Sequence, residues 1–487
     1  MNRIVILAMG VVCFVQSQAQ NEVDALRYSQ TTFGGTARYN GMAGAFGALG
    51  GDFSTLSTNP AGIAVYRKSE ISFTPSLYNQ TTNSTFNGKS SSDSKLNFNL
   101  GNIGIVGTFN TQKEEGQAGW ASFSFGFGYN RMANFHNRMV MEGPNSNNNS
   151  LVDIYLQNAN GNSVNDLDQY AEGLAYNTAV IDSGVGGYFS NVPFKLNQRK
   201  TVETTGSMGE TVLTFGGNYD NKLYLGGTVG FERLRYTENS TYSESAVEKD
   251  TVYGFESFRL NQQVTTSGSG INIKLGAIYR ATDWMRLGVA FHSPTAYTMH
   301  DEYVYTMSST YSNNSSYAPG EHSASSPNGT YDYSLVSPAR VIGSVGFIVA
   351  QRGLIGIDYE YVDYTSARFS STDGSFSDVN DQVKKKYSSA GNLRIGGEWK
   401  VAEPISLRAG YAAYGSPYKG GVNIDAGRTS YTFGIGLREK NYFIDLAYVL
   451  TQYKENYYFY DPTHVTLTPV TNSFNATSIM ATFGLKF

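Results

Sequence analysis

From Arg67 onward the chain alternates apolar with polar residues, and this two-residue period restricts the available folds more than any other feature. Ile479, Ala481, Phe483, Leu485 and Phe487 share one parity, opposite Thr482, Gly484 and Lys486. Leu393, Ile395, Trp399 and Val401 stand in the same way opposite Arg394, Glu398 and Lys400. Ile405, Leu407, Ala409 and Tyr411 oppose Ser406, Arg408 and Gly410, and the pattern recurs over 271–280, 355–361 and 444–448. Strands with two unlike faces are implied. A soluble sandwich also alternates, but its polar face is the outside and its strands are commonly shorter.

The connections distinguish the two cases. Tight links are expected at 220–222, 281–283, 351–353, 402–404 and 439–441, with a looser one at 112–118. Between them lie polar stretches read as long loops, at 79–96, 131–210, 237–265, 299–333, 363–390, 415–429 and 451–473. One short side and one long side is the asymmetry of an outer-membrane barrel, and a strand on each side of every link makes about fourteen. Both termini then fall at the periplasmic end. The charged parity must face the lumen, because each Lys or Arg turned to lipid at the midplane would cost ~2 to 4 kcal/mol. The expected fold is therefore all-β: an antiparallel transmembrane barrel of about fourteen strands, whose long loops carry short helices. Ser150 with Asp153 marks one helix start. Ser163 with Asp166 marks another, with Leu167, Tyr170, Ala171, Leu174 and Ala175 on one face.

Ahead of the barrel, Tyr39–Gly62 places glycines at 41, 44, 47 and 50. That spacing suits neither a helix nor a strand and is entropically costly unless another surface holds the segment. Met42, Phe46, Leu49, Phe53 and Leu56 give it an apolar side, and Asn59-Pro60-Ala61-Gly62 ends it in a rigid turn. It reads as a plug inside the barrel, with a flexible linker as the competing reading.

The first residues read as an export signal: Arg3, an apolar run from Ile4 to Val15, then Ser17-Gln18-Ala19. The expected division is residues 1–19 as signal peptide, 20–62 as plug and 63–487 as barrel. Cys13, the single cysteine, falls in the signal, so the mature chain would carry no thiol. Tyrosine (36), phenylalanine (28) and glycine (53) are high while proline (12) is low, which favours many strands over disorder. A net charge of −4 shows no basic excess of the kind that binds nucleic acid.

Asn59-Pro60-Ala61-Gly62 after a Gly/Ala-rich entry, together with the alternating strands, resembles the FadL/TodX family of outer-membrane transporters. The segments 275–280 running into 286–289, Ser337-Pro338-Ala339-Arg340, 407–411 and 444–448 fit the same pattern. The resemblance implies a plugged fourteen-stranded barrel that passes long-chain fatty acids or other hydrophobic molecules by diffusion, without covalent change, cofactor or metal. It also implies a kinked third strand that opens the wall sideways. Here that strand is 121–130, and Gly126 and Gly128 are the expected site of the opening. Met42, Phe46, Leu49 and Phe53 would hold an acyl chain. A lumenal cation among Arg280, Arg286, Arg340, Arg394 and Arg408 would meet a carboxylate, unless these serve Asp358, Glu360, Glu398 or Asp445 as structural partners. His292 follows the lumenal parity.

The partners expected are a hydrophobic ligand and outer-membrane lipid, around a monomer. Related proteins described as hemin receptors make heme the alternative cargo, with His136, His292 or His300 as an axial ligand. A barrel enzyme would need an acidic or Ser/His cluster at the loop face, and an adhesin is favoured only by loop length. Gly88-Lys89-Ser90 lacks the earlier glycine of a phosphate loop, and no nucleophile elbow or zinc motif is present.

Overall fold

The computed structural model describes residues 22–111, 118–250, 253–313, 315, 318–461 and 465–487. The expected signal peptide with Cys13, most of the 112–118 link, and His464 lie outside the described residues. Fourteen antiparallel strands form one closed wall. They are β1 (Glu70–Phe86), β2 (Lys89–Asn110), β3 (Trp120–Asn134, resuming at Asn137–Pro144), β4 (Leu196–Tyr219), β5 (Leu223–Ala246), β6 (Phe255–Arg280) and β7 (Met285–His292, resuming at Ala296–Tyr311). There follow β8 (Gly329–Val336, resuming at Arg340–Val349), β9 (Gly353–Asp363), β10 (Ser389–Ala402), β11 (Ile405–Tyr414), β12 (Arg428–Arg438), β13 (Tyr442–Tyr457) and β14 (Val470–Lys486). Closure is the pairing of β1 with β14, from Glu70 opposite Lys486 to Thr85 opposite Thr471.

The short links fall where expected, and the residue leading into β1 is joined to the C-terminus, Ser69 N–H donating to Phe487 O at 3.1 Å. The long side differs from expectation. Residues 79–96 are not a loop. They complete a hairpin turned by Asn87 and Gly88 alone, both at positive φ, the backbone that an Asn-Gly turn supplies. Likewise β5 and β6 run through most of the supposed loop at 237–265, and β3 and β4 enter the one at 131–210 from its two ends. Over 79–86 the inward Gln80, Thr82 and Ser84 are buried although polar, so the hydrophobic period fades while the alternation of burial and the backbone ladder continue.

Outward apolar residues such as Phe127, Leu275, Val289, Ile395, Phe433 and Ile479 are exposed. They form the lipid-facing band of a membrane barrel. All three tryptophans, Trp120, Trp284 and Trp399, lie beside the short links, at the level of an interfacial aromatic girdle. Inward positions of the same strands carry Asp358, Glu360, Arg394, Arg408 and Asp445, all buried.

The segment inside begins with α1 (Glu22–Ser29), runs extended to Gly35, and turns through α2 (Ala37–Gly41) and two 3-10 turns, Phe53–Ser57 and Pro60–Val65. Its burial continues through Tyr66, four residues past Gly62. It has so few side chains of its own because the wall meets it with glycines. Every strand from β2 to β12 turns at least one glycine toward it. Gly216, Gly226 and Gly276 lie directly opposite one another across β4, β5 and β6. Gly346, Gly356, Gly396 and Gly410 do the same across β8 to β11.

A Cβ at Gly356 would stand 1.9 Å from Ala45 O, one at Gly396 2.2 Å from Met42 O, and one at Gly226 2.3 Å from Pro60 O. Larger plug residues fill what the glycines leave: Phe53 against Gly104, Leu56 and Ile63 against Gly126, Leu49 against Gly346. The wall also binds the plug's backbone. Thr482 Oγ1 accepts from Ala37 N–H at 2.7 Å, Asp358 accepts from Gly47 N–H at 3.0 Å, and Thr228, Arg286 and Thr432 donate to the carbonyls of Leu56, Leu49 and Gly41. Buried backbone groups that no ladder satisfies are thereby paired.

On the long side, a cap built from the β3–β4 connection closes over the strand tips. Helix α3 (Leu151–Ala159) has the expected capping box at Ser150 and Asp153. The second expected helix does not run through from Ser163: a single turn at Val164–Asp166 is followed by the short α4 (Glu172–Asn177). Leu167, Leu174 and Ala175 still reach the cap's core, with Tyr155, Phe258, Tyr311 and Phe459.

Gly356→Val should displace the plug by steric conflict with backbone, at a cost of about 1–3 kcal/mol. Trypsin should then cut at Arg38, which is buried in the native barrel. Gly343→Val, where a Cβ meets nothing within 4 Å, should leave Arg38 protected.

Candidate functional site

Between plug and cap the lumen holds a cavity of about 370 Å³. Its floor is the extended segment Gln30–Gly35, and its sides include Tyr78, Asn99, Arg131, Phe135, Tyr236, Val449, Tyr453, Phe474 and Met480. Aromatic rings and methionine give it apolar surface, and the lumenal parity of the strands supplies polar groups between them. A second space of about 60 Å³ lies below, lined by Lys274, His292, Arg340 and Arg394. Thr31, Thr32, Phe33, Gly34 and Tyr414 line both and separate them.

The cavity reaches the wall where the wall is incomplete. Strand β2 pairs with β3 only from Asn102 opposite Asn130 to Asn110 opposite Ser122. Past that point, residues 89–101 of β2 pair with β1 alone, and β3 pairs with β4 alone. A bulge at Met132, between Arg131 and Ala133, marks the fork, and bulges bend the strand that carries them.

The separated backbone is satisfied by other means. Arg131 Nε donates to Leu100 O at 3.0 Å, and Thr32 N–H, from the floor segment, donates to Met132 O at 3.0 Å. Above the fork only side chains bridge the two strands. Asn134 donates to Asn97 at 3.2 Å, Asn97 meets His136 at 3.1 Å, and Arg138 lies 3.3 Å from Asp93. Lys95 pairs with Glu203 of β4. On the outer face of this seam Leu96 and Phe98 are 66% and 71% exposed, so lipid-facing apolar surface adjoins the cavity's edge.

The residues singled out from the sequence fall elsewhere. Met42, Phe46, Leu49 and Phe53 line neither space: they are buried against the wall and anchor the plug. Asn59 caps the turn through Ala61 N–H at 3.1 Å and donates to Gly47 O at 2.6 Å, with Pro60, Ala61 and Gly62 packed beside Gly226, Gly276 and Gly50. Gly126 and Gly128 are paired on both sides and accommodate Leu56, Ile63 and Phe53. The break in pairing is not at these glycines but begins above Asn130, because a glycine in a fully bonded ladder makes room without loosening the wall.

The arginines are mostly engaged. Arg280 leaves the lumen for the short link, 2.6 Å from Asp283. Arg286 holds the plug at Leu49 O. Arg340 pairs with Glu360 at 2.7 Å, and Arg394 lies 3.8 Å from Glu360 and 3.9 Å from Asp358. Arg408 meets Asp445 at 2.7 Å and also pairs with Glu398, which receives Arg38 of the plug at 2.8 Å. Buried ions of this kind persist because each has a partner. His292 contacts Thr58 O at 2.7 Å, His136 belongs to the seam, and His300 lies near Asp332 and Glu302; none of the three lines the large cavity.

Sequence reasoning missed Thr32, Gly34, Asn97, Arg131, Arg428 and Glu455. Only the fork left a trace, because the apolar alternation of β3 ends at Asn130-Arg131.

No protein-family profile matches the chain, and no curated protein does. Solved structures do. The toluene transporter TodX of Pseudomonas putida aligns at 13% identity over 93% of this chain and 99% of its own, with a TM-score of 0.56. A FadL homologue of Pseudomonas aeruginosa aligns at 15% over 94% and 98%, TM-score 0.53. The toluene transporter TbuX of Ralstonia pickettii aligns at 14% over 93% and 99%, TM-score 0.52. The fold is theirs. At these identities the likeness is one of fold and does not extend to individual ligand contacts.

A Cβ at Gly34 would stand 2.0 Å from Arg131 O. Gly34→Val should therefore lift the floor segment off the fork. Amide hydrogen exchange should accelerate over 30–36 while 37–65, held by the glycine belt, stays protected.

Proposed function

We propose that this protein is an outer-membrane channel of the FadL/TodX type, which passes hydrophobic small molecules such as long-chain fatty acids by diffusion. Both termini are periplasmic, the chain acts as a monomer, and residues 1–19 direct its export. The observation that carries this reading is the seam. A partly apolar cavity abuts the one stretch of the third strand where wall and lipid-facing surface are joined by side chains instead of a backbone ladder. A hydrophobic molecule leaving water gains ~25 cal/mol per Å² of apolar surface removed, first in the cavity and then in the bilayer, so no energy source is needed. The plug, held around its circumference, blocks the straight path, and the seam offers the lateral one. The known names of the similarly folded proteins are consistent with hydrophobic cargo. Heme has no comparable support, since none of the three candidate histidines lines the large cavity.

The mature chain has no native cysteine, so Asn97→Cys with Asn134→Cys can lock the seam. Oxidised, this pair should reduce uptake of oleate and of toluene into proteoliposomes to the level of protein-free vesicles, and reductant should restore it. Undiminished uptake by the locked barrel would exclude the lateral route. Absence of uptake by the native barrel would exclude the channel itself.

A further inference from the structure

Most charges deep in the lumen are matched: Arg38 with Glu398, Arg340 with Glu360, Lys274 with Glu210. On the wall of the large cavity Arg131 and Arg428 have no ion pair within 4.0 Å among the described residues, and one acidic group has no partner of any kind. Glu455, on the lumenal parity of β13, lines the cavity and has neither a hydrogen bond nor an ion pair within 4.0 Å among the described residues. The cations whose field reaches it, Arg428 and Arg27, are held by other groups. Arg27 is paired with Asp24 and lies over the Tyr236 ring at 4.2 Å. Arg428, on β12, lines the same cavity, donates to Gln30 and lies over Tyr453 at 4.8 Å, and its Nε is buried without a hydrogen-bond partner. Beside Glu455 is a flat apolar surface, Tyr453 stacked on Phe474 with centroids 4.5 Å apart and planes at 14°.

A carboxylate facing a confined space needs a donor, from water or from whatever displaces the water. A bare hydrocarbon entering the cavity would remove that water and replace none of its hydrogen bonds. A molecule with an apolar body and a donor at one end would bury the body on the rings and satisfy the carboxylate. We propose that Glu455 is a specificity-determining residue, and that the preferred cargo is an amphipathic molecule whose polar end is a hydrogen-bond donor, a primary ammonium above all. The inference rests on the channel reading and narrows it.

The test is calorimetric titration of the full-length barrel with phenylethylamine and phenylpropionate, on native protein and on Glu455→Gln. The native barrel should bind the amine at least about tenfold more tightly than the carboxylate, the advantage of a charge-assisted hydrogen bond. Glu455→Gln should abolish that preference without weakening phenylpropionate. Equal or tighter binding of phenylpropionate by native protein, or an unchanged ratio in the variant, would overturn the proposal. Toluene uptake by the same preparations separates the two levels: if uptake persists without amine preference, only the role of Glu455 falls, and if both are absent, the channel reading falls with it.

Discussion

The structure depends on backbone meeting backbone inside the barrel. A lumen wide enough to admit a folded segment must still satisfy that segment's peptide groups and leave no channel around it. Here the wall does both with one device, a near-continuous band of inward glycines against which Met42 O, Ala45 O and Pro60 O pack at close range. Glycine in a strand weakens it locally, but a closed barrel has no edge through which that weakness can spread. Thr482, Thr432, Asp358, Thr228 and Arg286 then take up the plug's free N–H and C=O groups at points spread around the wall.

With the centre filled in this way, the wall itself is least continuous where its ladder stops. At the fork the orphaned carbonyls of Leu100 and Met132 are met by Arg131 and by Thr32. The first is a side chain and the second belongs to the floor of the cavity, so ordering of the floor and closure of the seam involve the same atoms. Side-chain links are weaker and more easily exchanged than a ladder, and partly exposed ion pairs such as Arg138 with Asp93 contribute little to stability. Stability is thus concentrated in the belt, and the interruption of the backbone ladder lies beside the cavity.

Much of this architecture was legible in the sequence. Parity alone placed Arg394, Arg408 and Asp358 inside and Ile395, Leu407 and Ile357 outside, and the short links stood out as brief breaks between alternating runs. The spacing of Gly41, Gly44, Gly47 and Gly50 pointed to a hosted segment. The complementary glycines of the wall were equally visible as letters, but their meaning depends on register between strands far apart in sequence. Strand lengths on the long side were underestimated because Ser, Thr and Asn at 79–96 obscure the period while the hydrogen bonds continue. The site itself was mostly illegible. Met42 and Phe53 looked like ligand contacts because apolar residues on a plug could face either a cavity or a wall, and only the fold decides. Glu455 carried no signal, since its significance lies in the partner it lacks.

The central claim, that the segment from Ala37 to Tyr66 seals the lumen, is tested most directly by ionic conductance in planar bilayers. The intact chain should insert without an open-pore current, and removal of residues 37–65 should yield a folded barrel with steady conductance steps. Steady open-pore current through the intact chain, or an electrically silent barrel after the deletion, would contradict the account.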